Sequence, residues 1–325
     1  PGSLVWLWIA SIVGMLMKYS EIYLGIKYRV KTKKSFNGGP MYYLKAAFGN
    51  NILPFFAAFL LCIYGVEVFQ FHVIVHSVSD TFHLSKPIVI LSLIALLLAS
   101  SLGGVKRLAN ICTVIMPPFM LLYIIVALYI IVDNASALPE ILKLIWNSAF
   151  TYQAPIGAFA GSTMMQAAHF GASRAVYSGD IGIGYDSTVQ SETRVKDPAK
   201  HAKLSILSLF TDSIICTLSI LIVLLTGVWN SGVLHHEIIE LAIGMYIPFA
   251  GIFMTLLFFF AGFTTLIAFL VVGVKCAQYI SNKYGKMLYV LYAIIAFIVF
   301  SYQDQSIVVL VMELSGGLLM ITNML

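Results

Sequence analysis

Long apolar segments, separated by short polar ones, repeat along the whole chain. A helix that crosses the hydrocarbon core of a bilayer needs about 20 consecutive, mostly apolar residues. The pattern predicts about nine crossings, near residues 4–26, 53–79, 87–103, 111–132, 154–175, 204–228, 245–272, 287–300 and 307–325. We therefore expect an all-α polytopic membrane protein in which residues 1–325 form a single transmembrane domain.

The composition agrees with this expectation. The chain is 60% hydrophobic and 10% charged, with a mean hydropathy of +0.94, whereas a soluble domain carries about 25% charged residues. The four cysteines stand alone in apolar segments, and the sequence contains no nucleophile, zinc-protease or phosphate-loop motif. We expect neither an enzyme nor an organic cofactor.

Lysine and arginine are concentrated in every second loop between the predicted crossings. One set of loops holds Lys27, Arg29, Lys31, Lys33, Lys34, Lys45, Lys106, Arg107, Arg194, Lys196, Lys200, Lys203, Lys275, Lys283 and Lys286, and the other set holds Lys86 and Lys143. By the positive-inside rule the basic loops are cytoplasmic, in a multi-pass protein of the cell (cytoplasmic or inner) membrane. The basic residues fit a solvated face beside membrane lipid and not a nucleic-acid site. The first crossing then runs inward, so we expect another helix before it.

The second predicted crossing carries polar residues in an otherwise apolar segment. Glu67 is an ionisable group deep in the membrane, and such a group is by default a candidate for binding a proton or a cation. The alternative is a protonated carboxyl group that is hydrogen-bonded between helices. His72 and His76 lie one helical turn apart, which could suit a metal ion or a structural role.

A segment rich in small residues begins the fifth predicted crossing. Gly157, Gly161 and Gly171 interrupt this apolar segment, and an interrupted crossing is tolerated only where it is buried in protein or lines a cavity. Secondary transporters place their substrate and ion sites at such interruptions. The sequence therefore predicts that this protein moves a small solute across a membrane.

Two neighbouring threonines mark the seventh predicted crossing. Thr264 and Thr265 lie one turn after Ala261, so that two hydroxyl oxygens and a carbonyl oxygen fall close together. Oxygen ligands of this kind suit a hard cation such as Na⁺. Adjacent threonines in membrane helices also serve packing and hydrogen bonding to the preceding turn.

Several short motifs resemble the alanine or glycine:cation symporter family, in the family's order and across nearly the whole chain. The matching stretches are residues 38–44 (Gly-Gly-Pro-Met-Tyr-Tyr-Leu), 157–161, 174–184, 210–217, 225–229, 263–266, 273–276 and 317–323. The resemblance implies a leucine-transporter-type helical bundle with two inverted repeats and two unwound helices. The first helix of that fold is expected before Pro1, so this chain is expected to hold about nine of the crossings.

The resemblance also implies site residues. Substrate would contact Phe159, Ala160, Gly161 and Ser162 in the unwound turn of one helix, together with Gln70. Sodium, the coupling ion, would bind at Ala261, Thr264 and Thr265. The implied substrate is a small amino acid such as alanine, glycine or D-alanine, because the lining at 157–162 leaves little room for a side chain.

This chain also departs from the family pattern. Where the family reads Ser-Asn-Glu-Ala-Gly, residues 178–182 read Ser-Gly-Asp-Ile-Gly, and Glu67 and His72 stand where the family tends to have amides. Glu67 or His72 could therefore couple transport to protons instead of sodium. A membrane sensor that has kept the fold without transport is a further alternative, and the oligomeric state stays open.

Overall fold

A computed structural model describes residues 1–32, 36–102, 105–150, 160–230 and 237–324, with side chains described for these residues except 101–113, 115 and 160–163. The helices are α1 (Ser3–Lys27), α2 (Pro40–Phe48), α3 (Ile52–Tyr64), α4 (Val68–Phe82), α5 (Lys86–Leu102), α6 (Val105–Asp133), α7 (Leu138–Phe150), α8 (Ala160–Gly179), α9 (Tyr185–Gln190), α10 (Pro198–Leu225), α11 (Ile238–Gly244), α12 (Ala250–Ile280), α13 (Gly285–Phe300) and α14 (Gln305–Met324). A single 3-10 turn covers Val228–Asn230, and β1 (Val30–Lys31) pairs antiparallel with β2 (Phe36–Asn37).

Within these residues, six segments are helical, long and apolar enough to cross a membrane, and two shorter helices are also apolar. The all-α, multi-pass class predicted from the sequence is therefore confirmed. The count of nine crossings and the inverted-repeat topology stay predictions.

The second predicted crossing is not one helix. It is divided at residues 65–67 into α3 and α4, and Glu67 adopts a left-handed conformation with φ 54° and ψ 51°. The turn is closed by three backbone hydrogen bonds, from Gly65 N to Leu61 O at 2.9 Å, from Val66 N to Ile63 O at 3.4 Å and from Glu67 N to Tyr64 O at 3.0 Å. A left-handed residue other than glycine costs about 1–3 kcal/mol and persists only where the surrounding packing holds it.

The described residues form two compact units, whose boundaries fall inside α1, α6, α10 and α12 and between α8 and α9. The first unit comprises Pro1–Met17, Phe119–Ile181 and Leu204–Phe253. In it, Leu4 of α1 packs with Ile145 of α7 and Leu224 of α10, and the Trp6 indole donates to Ala149 O at 3.3 Å.

The second unit comprises Lys18–Pro118, Gly182–Lys203 and Met254–Leu325. Its α4 and α12 run side by side in opposite directions, fixed by hydroxyl contacts of Thr255 with Ser77 at 2.9 Å and with Thr81 at 2.6 Å. On an adjacent face of α4, the Phe71 ring stacks on Phe297 of α13 with ring centroids 4.2 Å apart.

The short helix α2 begins at the Gly-Gly-Pro turn. Pro40 occupies the first turn, and Gly39 has a φ of 117°, which disfavours other residues. A methyl group added at Gly39 would lie 2.2 Å from Thr188 Oγ1 of α9. The glycine therefore permits both the turn and the close approach of α9.

The break between α3 and α4 is covered by a close contact with α12 and α13. A methyl group added at Gly65 would lie 3.3 Å from Gly273 Cα, and one added at Gly273 would overlap the Tyr289 ring, 1.9 Å from its hydroxyl oxygen. The Tyr289 side chain is buried, so it has little room to move away.

We predict that Gly273→Ala destabilises the protein by about 1–3 kcal/mol, because the added methyl group overfills this contact. Gly317→Ala on α14 is the control, since a methyl group there meets nothing within 4 Å. The midpoint of thermal unfolding in detergent, followed by dye labelling of the buried cysteines, measures both. Combining Gly273→Ala with Tyr289→Leu should cost less than the sum of the single losses; simple additivity would contradict the proposed contact.

Candidate substrate and ion site

The predicted substrate residues on α8 are only partly described. Phe159 and Gly157 lie outside the described residues, and Ala160, Gly161 and Ser162 form the first turn of α8. The helix continues through Gly171 to Gly179, so the predicted interruption at Gly171 is wrong. Gly161 lies in the first turn of the helix, next to residues outside the described ranges, and an interruption there stays a prediction. Gly171 serves packing instead, since a methyl group there would lie 2.4 Å from Ser3 O of α1.

Gln70 lies on the first turn of α4, directly after the helix break. Its Oε1 atom faces α12, where a methyl group added at Gly262 would lie 3.3 Å from it. The structure thus brings one predicted substrate residue, Gln70, to the helix turn that carries the predicted sodium residues, Ala261, Thr264 and Thr265.

The two threonines direct their hydroxyl groups to a single carbonyl. Thr264 Oγ1 donates to Ala261 O at 2.7 Å, and Thr265 Oγ1 donates to the same oxygen at 3.0 Å. Three oxygen atoms therefore converge within one turn of α12, in half-buried positions. Hydrogen bonding to the preceding turn alone accounts for this geometry, and the hydroxyl lone pairs stay available to a cation.

Glu67 is 2% exposed and His72 is 5% exposed. His72 Nδ1 lies 3.1 Å from Phe300 O, and its ring stacks on His76 with centroids 4.2 Å apart. These contacts fit a structural role for the His pair, and no group of three potential metal ligands occurs in the described parts of the chain. Glu67 stays the candidate for proton coupling, at the point where the crossing is broken.

A buried charged cluster in the second half of α1 was missed by the sequence analysis. Lys18 forms a 2.5 Å ion pair with Asp186 of α9, and both side chains are largely buried. Glu21 lies one turn further along α1, accepts a weak hydrogen bond from Ser187 N at 3.4 Å, and interacts electrostatically with Lys18 and Asp186. One cation thus faces two carboxyl groups.

Polar contacts extend this cluster to α2 and α14. The Tyr43 hydroxyl donates to Asn323 Oδ1 at 3.2 Å, and Asn323 Nδ2 donates to Gly182 O at 2.9 Å. Burial, together with the nearby Glu21 carboxyl group, raises the pKa of the Tyr43 hydroxyl well above its usual range, so it stays protonated as a donor. Four segments that are distant in sequence are therefore joined by one polar network.

A signal for this cluster was present in the sequence. Lys18 and Glu21 are charged residues three positions apart inside a 25-residue apolar helix, and charges in such helices are retained when they pair or function. Their partner could not be identified from the sequence, because Asp186 lies on a six-residue helix without an apolar pattern.

The sequence model of the sodium:alanine symporter family matches residues 1–325, and the chain therefore belongs to this family. The chain is 31% identical over its whole length to an uncharacterized transporter of Haemophilus influenzae, of which it covers 73%. It is 26% identical to the sodium/alanine symporter AgcS of Methanococcus maripaludis, with 91% of this chain and 68% of AgcS covered. It is 29% identical to the amino-acid carrier protein AlsT of Bacillus subtilis, with 71% of this chain and 50% of AlsT covered. The family and these relatives are transporters, not enzymes.

We predict that the two partners of the buried Lys18–Asp186 ion pair differ in how much stability the protein loses when each is replaced. Lys18→Met should destabilise the protein by about 3–5 kcal/mol, because it leaves two buried carboxyl groups without their cation. Asp186→Asn should cost less, since Lys18 then still faces Glu21. Unfolding midpoints in detergent measure both, with Lys27→Met at the exposed end of the same helix as the control. Equal losses for Lys18→Met and Lys27→Met would contradict the described pairing.

Proposed function

We propose that this protein is a sodium-coupled symporter that carries a small amino acid (alanine, glycine or D-alanine) across the cytoplasmic membrane. Membership of the sodium:alanine symporter family supports amino-acid symport. The observation that carries the finer proposal is the position of Gln70, beside the broken crossing and against the turn that holds Thr264 and Thr265.

Each proposed ligand has a separate task. The Ala261 carbonyl and the hydroxyl groups of Thr264 and Thr265 bind Na⁺, which prefers oxygen ligands of this type. The Gln70 amide offers both a donor and an acceptor to the charged ends of an amino acid. We assign Phe159, Ala160, Gly161 and Ser162 to substrate binding on the family resemblance alone.

The coupling of sodium transport to amino-acid transport follows if both ligands bind the same conformation of the protein. If Na⁺ and the amino acid bind the same conformation, each raises the affinity of the other by the same factor. Neighbouring residues hold the turn at residues 65–67 in a strained conformation. When those neighbours move, the turn can relax and the first turn of α4 can change its conformation. A change at this turn would move Gln70 relative to α12.

Proton coupling is the second candidate, and one observation favours it. Glu67 is a buried carboxyl group with left-handed backbone geometry, placed where the crossing is interrupted. Ionisable residues at such positions carry protons in many pumps and transporters. His72 is less suited, because its Nδ1 atom already meets the Phe300 carbonyl.

Uptake of radiolabelled alanine into proteoliposomes containing the full-length protein distinguishes these candidates. We expect an inward sodium gradient to drive accumulation at constant pH, and a proton gradient without sodium to drive none. Glu67→Gln should keep sodium-driven uptake, with Glu313→Gln, an exposed carboxyl group on α14, as the matched control. Uptake driven by protons alone and lost in Glu67→Gln would establish the second candidate, and no uptake under either gradient would contradict both.

We predict that Thr264→Val and Thr265→Val each raise the sodium concentration for half-maximal uptake by about tenfold, since one cation ligand is lost while side-chain shape is kept. Thr226→Val is the control: Thr226 directly follows the last residue of α10, and its hydroxyl donates to Ile222 O, four residues earlier, at 2.8 Å, as Thr265 donates to Ala261 O. The sodium dependence of initial uptake rates measures the effect. An equal shift in all three variants would assign the threonine pair to helix packing.

A further inference from the structure

An apolar cavity of about 170 Å³ lies between α5, α12 and α13, and its lining does not include Gln70, Thr264 or Thr265. Leu97 of α5, Val271 of α12 and Val290 of α13 contribute to its walls, and apart from two aromatic residues, Tyr289 and Phe297, the other uncharged lining residues are aliphatic. Two charged side chains, Lys275 and Lys286, also line it. The cavity belongs wholly to the second unit of the structure.

Both charges lie at one end of the cavity. Lys275 is in the last two turns of α12, and Lys286 is in the first turn of α13, so the two lysines flank the short connection between these helices. The walls further from this connection, including Ile267 and Phe297, carry no charge. The cavity is therefore amphipathic along its length, with its basic end at the loops predicted to be cytoplasmic.

The walls do not suit a zwitterionic amino acid as the occupant, because the lining contains two lysines and no carboxylate to pair with an ammonium group. Apolar cavities of about 150 Å³ stay dry and accept apolar molecules, and the abundant apolar molecule around a membrane helix is a lipid chain. A second copy of this chain could also place aliphatic side chains in the cavity, but such an occupant would not explain why two lysines lie at one end of it.

The positive charge at the basic end of the cavity, which we call its mouth, determines which lipid headgroup can bind there. Lys275 forms an ion pair with Glu192, whose side chain is half-exposed. Lys286 is exposed and has no ion pair among the described residues. The mouth therefore keeps a net positive charge, and basic pockets between membrane helices on the cytoplasmic side recognise anionic lipid headgroups.

We propose that this cavity binds one anionic phospholipid, with an acyl chain between α5, α12 and α13 and the phosphate at Lys286, assisted by Lys275. The inference does not depend on the transported solute. It does place a lipid against α12, the helix that carries Thr264 and Thr265, so the bound lipid would brace that helix.

Native mass spectrometry of the delipidated full-length protein in detergent tests this proposal. Palmitoyl-oleoyl phosphatidylglycerol and the matching phosphatidylcholine are titrated separately, and the fraction of protein with one retained lipid is measured. We expect phosphatidylglycerol to bind about tenfold more tightly. Lys286→Gln should remove roughly fivefold of that preference, as expected for one lysine near an anionic headgroup, and Lys275→Gln should remove less because of Glu192. Lys283→Gln, in the connection but outside the cavity lining, is the charge-matched control and should change nothing.

A second pair of variants tests the chain-binding part. Val290→Trp fills the cavity and should weaken the retention of both lipids, whereas Leu291→Trp on the exposed face of α13 should not. Unfolding midpoints without lipid show whether each variant is folded. Equal retention of the two lipids by the unmodified protein would overturn the proposal, and so would equal effects of Lys286→Gln and Lys283→Gln. If the protein forms dimers and Val290→Trp abolishes them while lipid binding stays intact, the cavity holds a second copy of the chain and the proposal is wrong.

Discussion

The hydrogen-bonding demand of the backbone in lipid governs this structure. A membrane crossing can be interrupted only where protein covers the freed backbone groups, and the crossing formed by α3 and α4 is interrupted at residues 65–67. Its cover consists of Gly273, which lets α12 approach the break, and the buried Tyr289 ring of α13. The position of Gln70 beside Gly262 follows from the same arrangement, because α4 restarts directly after the break.

The second unit also contains a polar network that connects two short helices, α2 and α9, to two long ones, α1 and α14. Lys18 with Asp186, and Tyr43 with Asn323, connect α1, α2, α9 and α14 through side chains that are largely removed from water. Buried pairs of this kind add less net stability than their number suggests, but losing one partner is costly. Gly39 and Gly184 have positive φ angles and pack against neighbouring side chains in this region, which explains why glycine occupies both positions.

Much of this architecture was predictable from hydrophobic patterning, because helices in lipid must be long and apolar. The Gly-Gly-Pro start of α2 was also predictable, since proline and glycine have specific backbone preferences. The break at Glu67 was not, because the apolar pattern continues across it and only tertiary packing selects the left-handed conformation. Gly171 misled the prediction for the opposite reason: glycine permits a helix break but also a close helix–helix contact, and the sequence does not distinguish them.

Reciprocal binding tests the central claim, that one site couples sodium to a small amino acid. The dissociation constant of alanine is measured by calorimetry on the full-length protein at increasing sodium concentration, and that of sodium at increasing alanine concentration. The account predicts that each ligand tightens the other by the same factor. Alanine binding that is independent of sodium but varies with pH would contradict it.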